Sequence, residues 1–455
     1  MAPIILDDSF DNRSKSGGFY WAVSGQKPGY WVRFNEMKKR LSKIIISAFI
    51  VLLMLGGLGL WFSPLKSKLE VHADIWLTQW RVLFQPVDIA PTPQAVVLKT
   101  QSVIRSTATP TQKPTEKDWP TNTPTSLQLT ASPTATALPP RILLPPPMLE
   151  AQDWNNCGPD TLAAYLRIYG WEGAQNDISN QVKPQRADRN VNIDELATYV
   201  SQNAGWLRSV IRVGGTTELI KELLAAGFPV MIEESFYFDA PFWYQDDLWG
   251  GHYLLLTGYD ETEQTFMTQD SDRGADRPID FQTLEKNWQA FNRVYFVLYP
   301  PDHEDLLSGL LGEDWNEEQN RQRTLDGNSI ESQKDPENPF VWFNLGTNLV
   351  YFKRYQEAAE AYDKARTLNM PQRMLRYQFG PFLAYFQSGR LDDLDALVEY
   401  AIKVTPNSEE AFLWKGWTLY RQGKKNEALS AFNKALENRP GYPDALYAIQ
   451  YINEN

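Results

Sequence analysis

Toward its C-terminus the chain repeats itself. Gly389 and Gly423, Ala401 and Ala435, and Pro406 and Pro440 each lie 34 residues apart, while Ala365 and Ala401 lie 36 apart. A period of this length, with small residues recurring opposite large aromatic ones, is the signature of stacked helix pairs, none of which buries its apolar face alone. The first unit carries Trp342, Leu345, Gly346, Ala358, Tyr362 and Ala365, and the third carries Phe412, Gly416, Ala428, Phe432, Ala435 and Pro440. The middle unit accommodates a two-residue insertion and places Pro381 and Phe382 where the first has Leu-Gly. Three units and a partial capping helix from Pro443 onward are enough to bury a continuous core. Residues 337–455 therefore read as an all-α solenoid.

What precedes the repeats is heterogeneous. With 455 residues, 43% of them hydrophobic, there is material for two cores, and a net charge of −12 without a basic, aromatic-rich patch argues against nucleic acid as a partner. Residues 44–62 run nineteen positions without a charge, close to the ~20 that span a bilayer, and read as one transmembrane helix. Arg33, Lys38, Lys39, Arg40 and Lys43 crowd its N-terminal side, against Lys66 and Lys68 on the other. That asymmetry leaves residues 1–43 as a cytoplasmic tail and everything beyond the span extracytoplasmic. Residues 63–142 form a juxtamembrane segment and stalk. Trp76, Trp80 and Phe84, spaced by four, mark a short interfacial or packing helix. From about Pro91 to Pro147 the composition turns to Pro, Thr, Ser and Ala, too poor in apolar surface to offset ordering entropy. An acidic, polar stretch, 303–336, links the globular region at 143–302 to the repeats as a flexible or short helical connection.

Chemistry concentrates in that globular region. The chain has a single cysteine, Cys157, and the region has a single histidine, His252. Gly158-Pro159-Asp160-Thr161 opens a helical pattern with Leu162, Leu166 and Tyr169 on one face, which puts Cys157 at or just before a helix N-terminus. The unpaired amides and partial positive charge there suit a nucleophilic thiolate. His252 precedes an apolar run, residues 253–258, that reads as a buried strand, and a second strand over 264–269 delivers Asp270. An Asp so placed bonds the far imidazole nitrogen and fixes tautomer and orientation. Gln152 is placed to donate its amide to an oxyanion beside the Cys157 N–H. The run Asp270-Ser-Asp272-Arg-Gly274-Ala-Asp276 also looks like the front of a calcium loop, although Phe281 stands where the closing Glu belongs. Helices near 192–202 and 216–227 come before strands near 229–233, 252–259, 265–269 and 293–299. Phe236, Phe238, Phe242, Trp243, Tyr244 and Trp249 crowd the segment before His252 and read as a cleft wall rather than a cover for the core.

The order Gln152, then Trp154-Asn155-Asn156-Cys157-Gly158-Pro159, then Gly251-His252-Tyr253 with Thr257-Gly258-Tyr259-Asp260, then Gln269-Asp270 resembles the papain-like cysteine peptidases. It is most similar to the bacteriocin-processing (C39-like) peptidase family and its stand-alone relatives. The resemblance covers residues 143–302 and implies an α+β peptidase domain. It makes Cys157 the nucleophile, His252 the general base and then acid, Asp270 the orienting residue and Gln152 the oxyanion donor. Papain-type enzymes usually leave six positions from glutamine to cysteine, and here there are five. No Walker-type glycine loop accompanies the region, so export coupled to ATP is not expected. The C-terminal units resemble tetratricopeptide repeats, whose concave grooves bind peptides or proteins.

These readings make the chain a papain-like α+β domain followed by an all-α tetratricopeptide solenoid, behind a single N-terminal transmembrane helix. The expected activity is extracytoplasmic hydrolysis of peptide bonds through Cys157, His252 and Asp270, with no cofactor or metal, and with the repeats recruiting a substrate or protein partner. Two alternatives stay open: a catalytically silent peptide-binding scaffold, and a thiol amidase or transferase acting on a non-protein amide.

Overall fold

The computed structural model describes residues 90–93, 137–183, 191–237 and 248–454. The transmembrane run at 44–62, the aromatic stripe at 76–84 and most of the stalk lie outside the described residues, as do Phe238, Phe242, Trp243 and Tyr244. Among the described residues no helix is long and apolar enough to cross a membrane.

The first globular region opens earlier than expected. Strand β1 (Arg141–Leu143) pairs antiparallel with a later strand, Ile142 opposite Tyr259 and Leu143 opposite Gly258, so residues assigned to the stalk belong to the sheet. A Cβ at Gly258 would lie 2.5 Å from the Ile142 carbonyl oxygen, so the close approach of this extra strand requires a glycine there. Three helices follow: α1 (Cys157–Ile168), α2 (Gln175–Val182) and α3 (Ile193–Asn203). Next come β2 (Arg208–Arg212), α4 (Thr217–Ala225), β3 (Val230–Tyr237), β4 (Trp249–Asp260), β5 (Thr265–Asp270), β6 (Gly274–Asp280), α5 (Phe281–Trp288) and β7 (Tyr295–Tyr299). The strands make one antiparallel sheet in the order β2-β7-β3-β4-β5-β6, with β1 beside β4.

Both faces of this sheet are covered, which is why its central strands read as nearly unbroken apolar runs. Tyr253, Leu255, Phe296 and Leu298 face a core shared with α1 and α3, while Leu254, Leu256, Val297 and Tyr299 face one shared with α4 and α5. Trp249, expected in a cleft wall, is instead fully buried and stacked on Phe291 at a ring separation of 5.7 Å. The Asp270–Asp276 run, whose front resembles a calcium loop, forms the β5–β6 hairpin, with Asp270 opposite Gly274.

The connection to the repeats is a docked structure. Helix α6 (Glu304–Leu311) and the long α7 (Glu317–Lys334) occupy it. The Asn320 side chain on α7 accepts from the Val213 N–H (3.0 Å) and donates to the Val213 carbonyl (2.9 Å), and Arg293 donates to Glu331. The repeats are three helix pairs: α8 (Pro339–Tyr351) with α9 (Tyr355–Thr367), α10 (Gly380–Gln387) with α11 (Leu391–Val404), and α12 (Glu409–Arg421) with α13 (Lys425–Asn438). Helix α14 (Pro443–Glu454) closes the array. Gly346 sits against Tyr362 and Gly416 against Phe432, the small-against-large packing that the period encodes. One core runs without interruption from Leu162 and Trp249 through Phe291 into Phe343, Tyr362 and Tyr385, so the repeats are packed onto the α+β region.

Candidate active site

Helix α1 starts at Cys157, as its sequence requires. Its seat is fixed by β4: Thr161 Oγ1 donates to the Tyr253 carbonyl (3.3 Å), and Gly158 lies over the Tyr253 ring. A Cβ at Gly158 would come within 3.2 Å of that ring, so a side chain there would push the cysteine away from the strand that carries His252.

His252 is buried near the start of β4. Its Nε2 lies 2.8 Å from Asp270 Oδ1, and the Cys157 thiol lies beside the ring. With Nε2 committed to Asp270, Nδ1 is the nitrogen available to the thiol. Burial disfavours the imidazolium, but Asp270 and Cys157 together outweigh it and hold the His252 pKa well above its ordinary value. Asp270 is itself braced: its Oδ1 accepts from the backbone N–H of Asp272 (2.9 Å) and Arg273 (3.1 Å). Burial would raise the Asp270 carboxyl, yet His252 and these amides keep it below the usual carboxylate range. The Phe236 ring packs edge-on against His252 at 5.4 Å.

Gln152 is brought to the same place from another direction. Its backbone N–H donates to the Ser271 carbonyl (3.0 Å), and its Oε1 accepts from Ser271 Oγ (2.8 Å). That bond uses the carbonyl end of the amide and leaves the nitrogen as the donor end. The loop between Gln152 and Cys157 is gripped by side chains that sequence reasoning misses. Gln175, on the first turn of α2, accepts from Asp153 N (2.8 Å) and Asn156 Nδ2 (2.6 Å) and donates to the Ala151 carbonyl (2.9 Å). Lys183 Nζ donates to the carbonyls of Trp154 (3.0 Å) and Asn155 (2.8 Å). Asn155 turns through a left-handed conformation with φ of 51°.

Three buried carboxyls surround this constellation. Glu234 is opposite His252 across β3 and β4, and its Oε2 is buried without a hydrogen-bond partner among the described residues. Burial pushes its pKa up to about 7 against the opposing pull of His252 and Asn287. Asp160, one turn along α1, is fully buried with both oxygens unpartnered among the described residues, and burial raises it to about 7. Glu233 bonds Tyr253, and burial followed by the nearby Cys157 raises it well above the usual range. No local motif marks Glu234 or Glu233 in the sequence, because their positions beside His252 and Tyr253 depend on the register of β3 against β4.

Comparison with known proteins agrees with this division. Residues 144–296 match the Peptidase_C39 like family, a span that includes Gln152, Cys157, His252 and Asp270, and residues 379–443 match a tetratricopeptide repeat model. Among solved structures, a putative C39-like peptidase from Bacillus anthracis is 13% identical, over 35% of this chain and 97% of its own, with a TM-score of 0.27. A double glycine motif protease from an AMS/PCAT transporter, solved with a leader peptide, is 15% identical over 35% of this chain and 94% of its own, with a TM-score of 0.26. YrrB, a tetratricopeptide repeat protein with an unusual peptide-binding site, is 20% identical over 38% of this chain and 81% of its own, with a TM-score of 0.26. No curated protein matches the chain.

Proposed function

We propose that the α+β region is a thiol peptidase in which Cys157 is the nucleophile. The observation that carries this reading is the seating of Cys157 at a helix start beside a buried imidazole whose Nε2 is tied to Asp270 at 2.8 Å. The Cys157 sulfur attacks the scissile carbonyl carbon, forming a C–S bond and a tetrahedral oxyanion. The Cys157 N–H and the Gln152 amide nitrogen stabilise that oxyanion. His252, charged and oriented by Asp270, donates its proton to the leaving nitrogen as the C–N bond breaks. The neutral imidazole then takes a proton from water, the resulting hydroxide attacks the thioester, and the acid product leaves with Cys157 restored. In the same reading residues 44–62 anchor the chain in a membrane with the peptidase-like and repeat regions extracytoplasmic, and the repeats bind a peptide or protein partner. The uncharged run and its flanking charges support the anchoring, and the repeat period supports the binding.

The test is cleavage of a mixed peptide library by the full chain, followed by mass spectrometry of the new ends. The expected result is a defined set of cuts absent from Cys157→Ala. Identical product spectra for the two proteins would remove the peptidase assignment.

A further inference from the structure

The irregular middle of the repeat array rests on the strand that carries His252. Between α9 and α10 the insertion forms a short 3-10 segment, Gln372–Arg376, and the next two residues reach the α+β region. The Tyr377 ring meets Trp249 at 5.6 Å and Phe291 at 6.1 Å, and Gln378 Nε2 donates to the Ala290 carbonyl at 2.9 Å. The 289–292 turn that carries Phe291 is held by the repeats as well. Asn344 Nδ2 donates to the Gln289 carbonyl (2.7 Å), and Asn292 and Asn348 bond through their side chains (3.2 Å). Directly beneath lies Gly251, where an added Cβ would be 2.8 Å from Phe291 Cζ and 3.1 Å from Tyr377 Cε1. The two rings therefore press on the residue immediately before His252.

The residue immediately after His252 is held from the far end of the array. The Tyr253 hydroxyl donates to the Val191 carbonyl at 2.9 Å, just ahead of α3. The start of α3 is closed by Glu195, whose Oε2 accepts from the Asn192 N–H at 2.9 Å. The other oxygen of Glu195 pairs with Arg439, which follows α13 in the third repeat and also reaches toward Glu409. The middle and the far end of the array thus converge on the two neighbours of one catalytic-site histidine.

We propose that the repeat array is a working part of the peptidase-like site, clamping Gly251 through Tyr377 and Phe291 and Tyr253 through Arg439, Glu195 and the start of α3. Tyr377 and Arg439 are positioning residues in this account: neither touches the reacting atoms, and both set where the His252 imidazole stands relative to Cys157. A shift of about 1 Å in such a pair costs up to about a hundredfold in rate, so contacts from a separate folding unit are sufficient to govern reactivity. The inference rests on the reading of Cys157 and His252 as a reactive pair.

The test uses the full chain and its single thiol. Iodoacetamide alkylation of Cys157 is followed against pH in wild type, Tyr377→Ala, Tyr377→Leu, Tyr377→Phe, Arg439→Ala and His252→Ala, with far-UV circular dichroism reporting the fold. The expected rate at pH 7 falls about tenfold in Tyr377→Ala and Tyr377→Leu and about threefold in Arg439→Ala, with the pH profile moving toward that of His252→Ala. Tyr377→Phe keeps the ring and stays within about twofold of wild type. A folded Tyr377→Leu and a folded Arg439→Ala that both retain the wild-type rate and profile overturn the clamp, even if Tyr377→Ala fails to fold. A wild type no faster than His252→Ala overturns the peptidase reading and the clamp with it. A fast wild type with equally fast clamp variants overturns the clamp alone.

Discussion

Buried charge is handled differently in two clusters, one around Arg390 in the repeats and one around Cys157 and His252. In the repeats, Arg390 is nearly buried, and its guanidinium is shared between Asp363 and Asp393, with the Tyr385 ring beneath it at 4.7 Å. The guanidinium and both carboxylates of this cluster are paired, and the arrangement ties α9 to α11. Around Cys157 and His252 the buried carboxyls of Asp160 and Glu234 have oxygens with no partner among the described residues, a cost that satisfied interiors do not carry. The comparison separates charge that builds architecture from charge held beside Cys157 and His252 at the expense of stability.

The largest expected effect on chemistry, apart from loss of the nucleophile or the imidazole, comes from Asp270→Asn. Removing the carboxylate leaves His252 buried without its main support, so the pKa falls toward or below the ordinary imidazole value. The rise of the alkylation profile then moves up toward ordinary thiol ionisation, and the rate at pH 6 drops on the order of a hundredfold. Stopped-flow alkylation across pH 5–9 measures this, and an unmoved profile would show that Asp270 does not hold the proton on His252. Next is Arg390→Ala, which leaves two acidic groups without their cation. It is expected to cost on the order of 3 kcal/mol in denaturant unfolding while leaving the alkylation profile of the folded protein unchanged. A changed profile would blur the distinction between the two kinds of buried charge.

The smallest effect, and the one with the most informative sign, concerns Asp160→Asn and Glu234→Gln. A carboxyl whose pKa is raised on folding holds a proton that the unfolded chain releases, so stability falls as pH rises from about 4 to about 7 and is level beyond. Each neutral variant removes that fall. The expected result is a gain in Tm of about 2–4 °C at pH 8 and none at pH 4, by scanning calorimetry. Equal gains at both values would mean that the substitution acts through packing.

Much of the site is legible in the sequence. Cys157 stands at the first turn of a helix because Gly158-Pro159-Asp160 favours a helix start there, and His252 and Asp270 sit on the two strands that the apolar runs delimit. The repeat helices follow from their period. What escapes is long-range. Trp249 looks like a cleft aromatic until Phe291 and Tyr377 arrive from later in the chain to bury it. The charged, polar α7 reads as a link because its docking relies on side-chain amide bonds such as that of Asn320 rather than on an apolar stripe. Arg141–Leu143 is hidden in proline-rich sequence, and only the glycine at position 258 of its partner strand makes room for it. Gln175 and Lys183, which shape the loop before Cys157, carry no motif at all.

The central claim is an activated thiol, and the single cysteine makes it directly measurable. The iodoacetamide alkylation rate of Cys157 against pH, in wild type and in His252→Ala, is the decisive comparison. The account predicts fast alkylation near neutral pH that slows on the order of a hundredfold in the variant. A slow rate that climbs only with ordinary thiol ionisation, unaltered by His252→Ala, would contradict it.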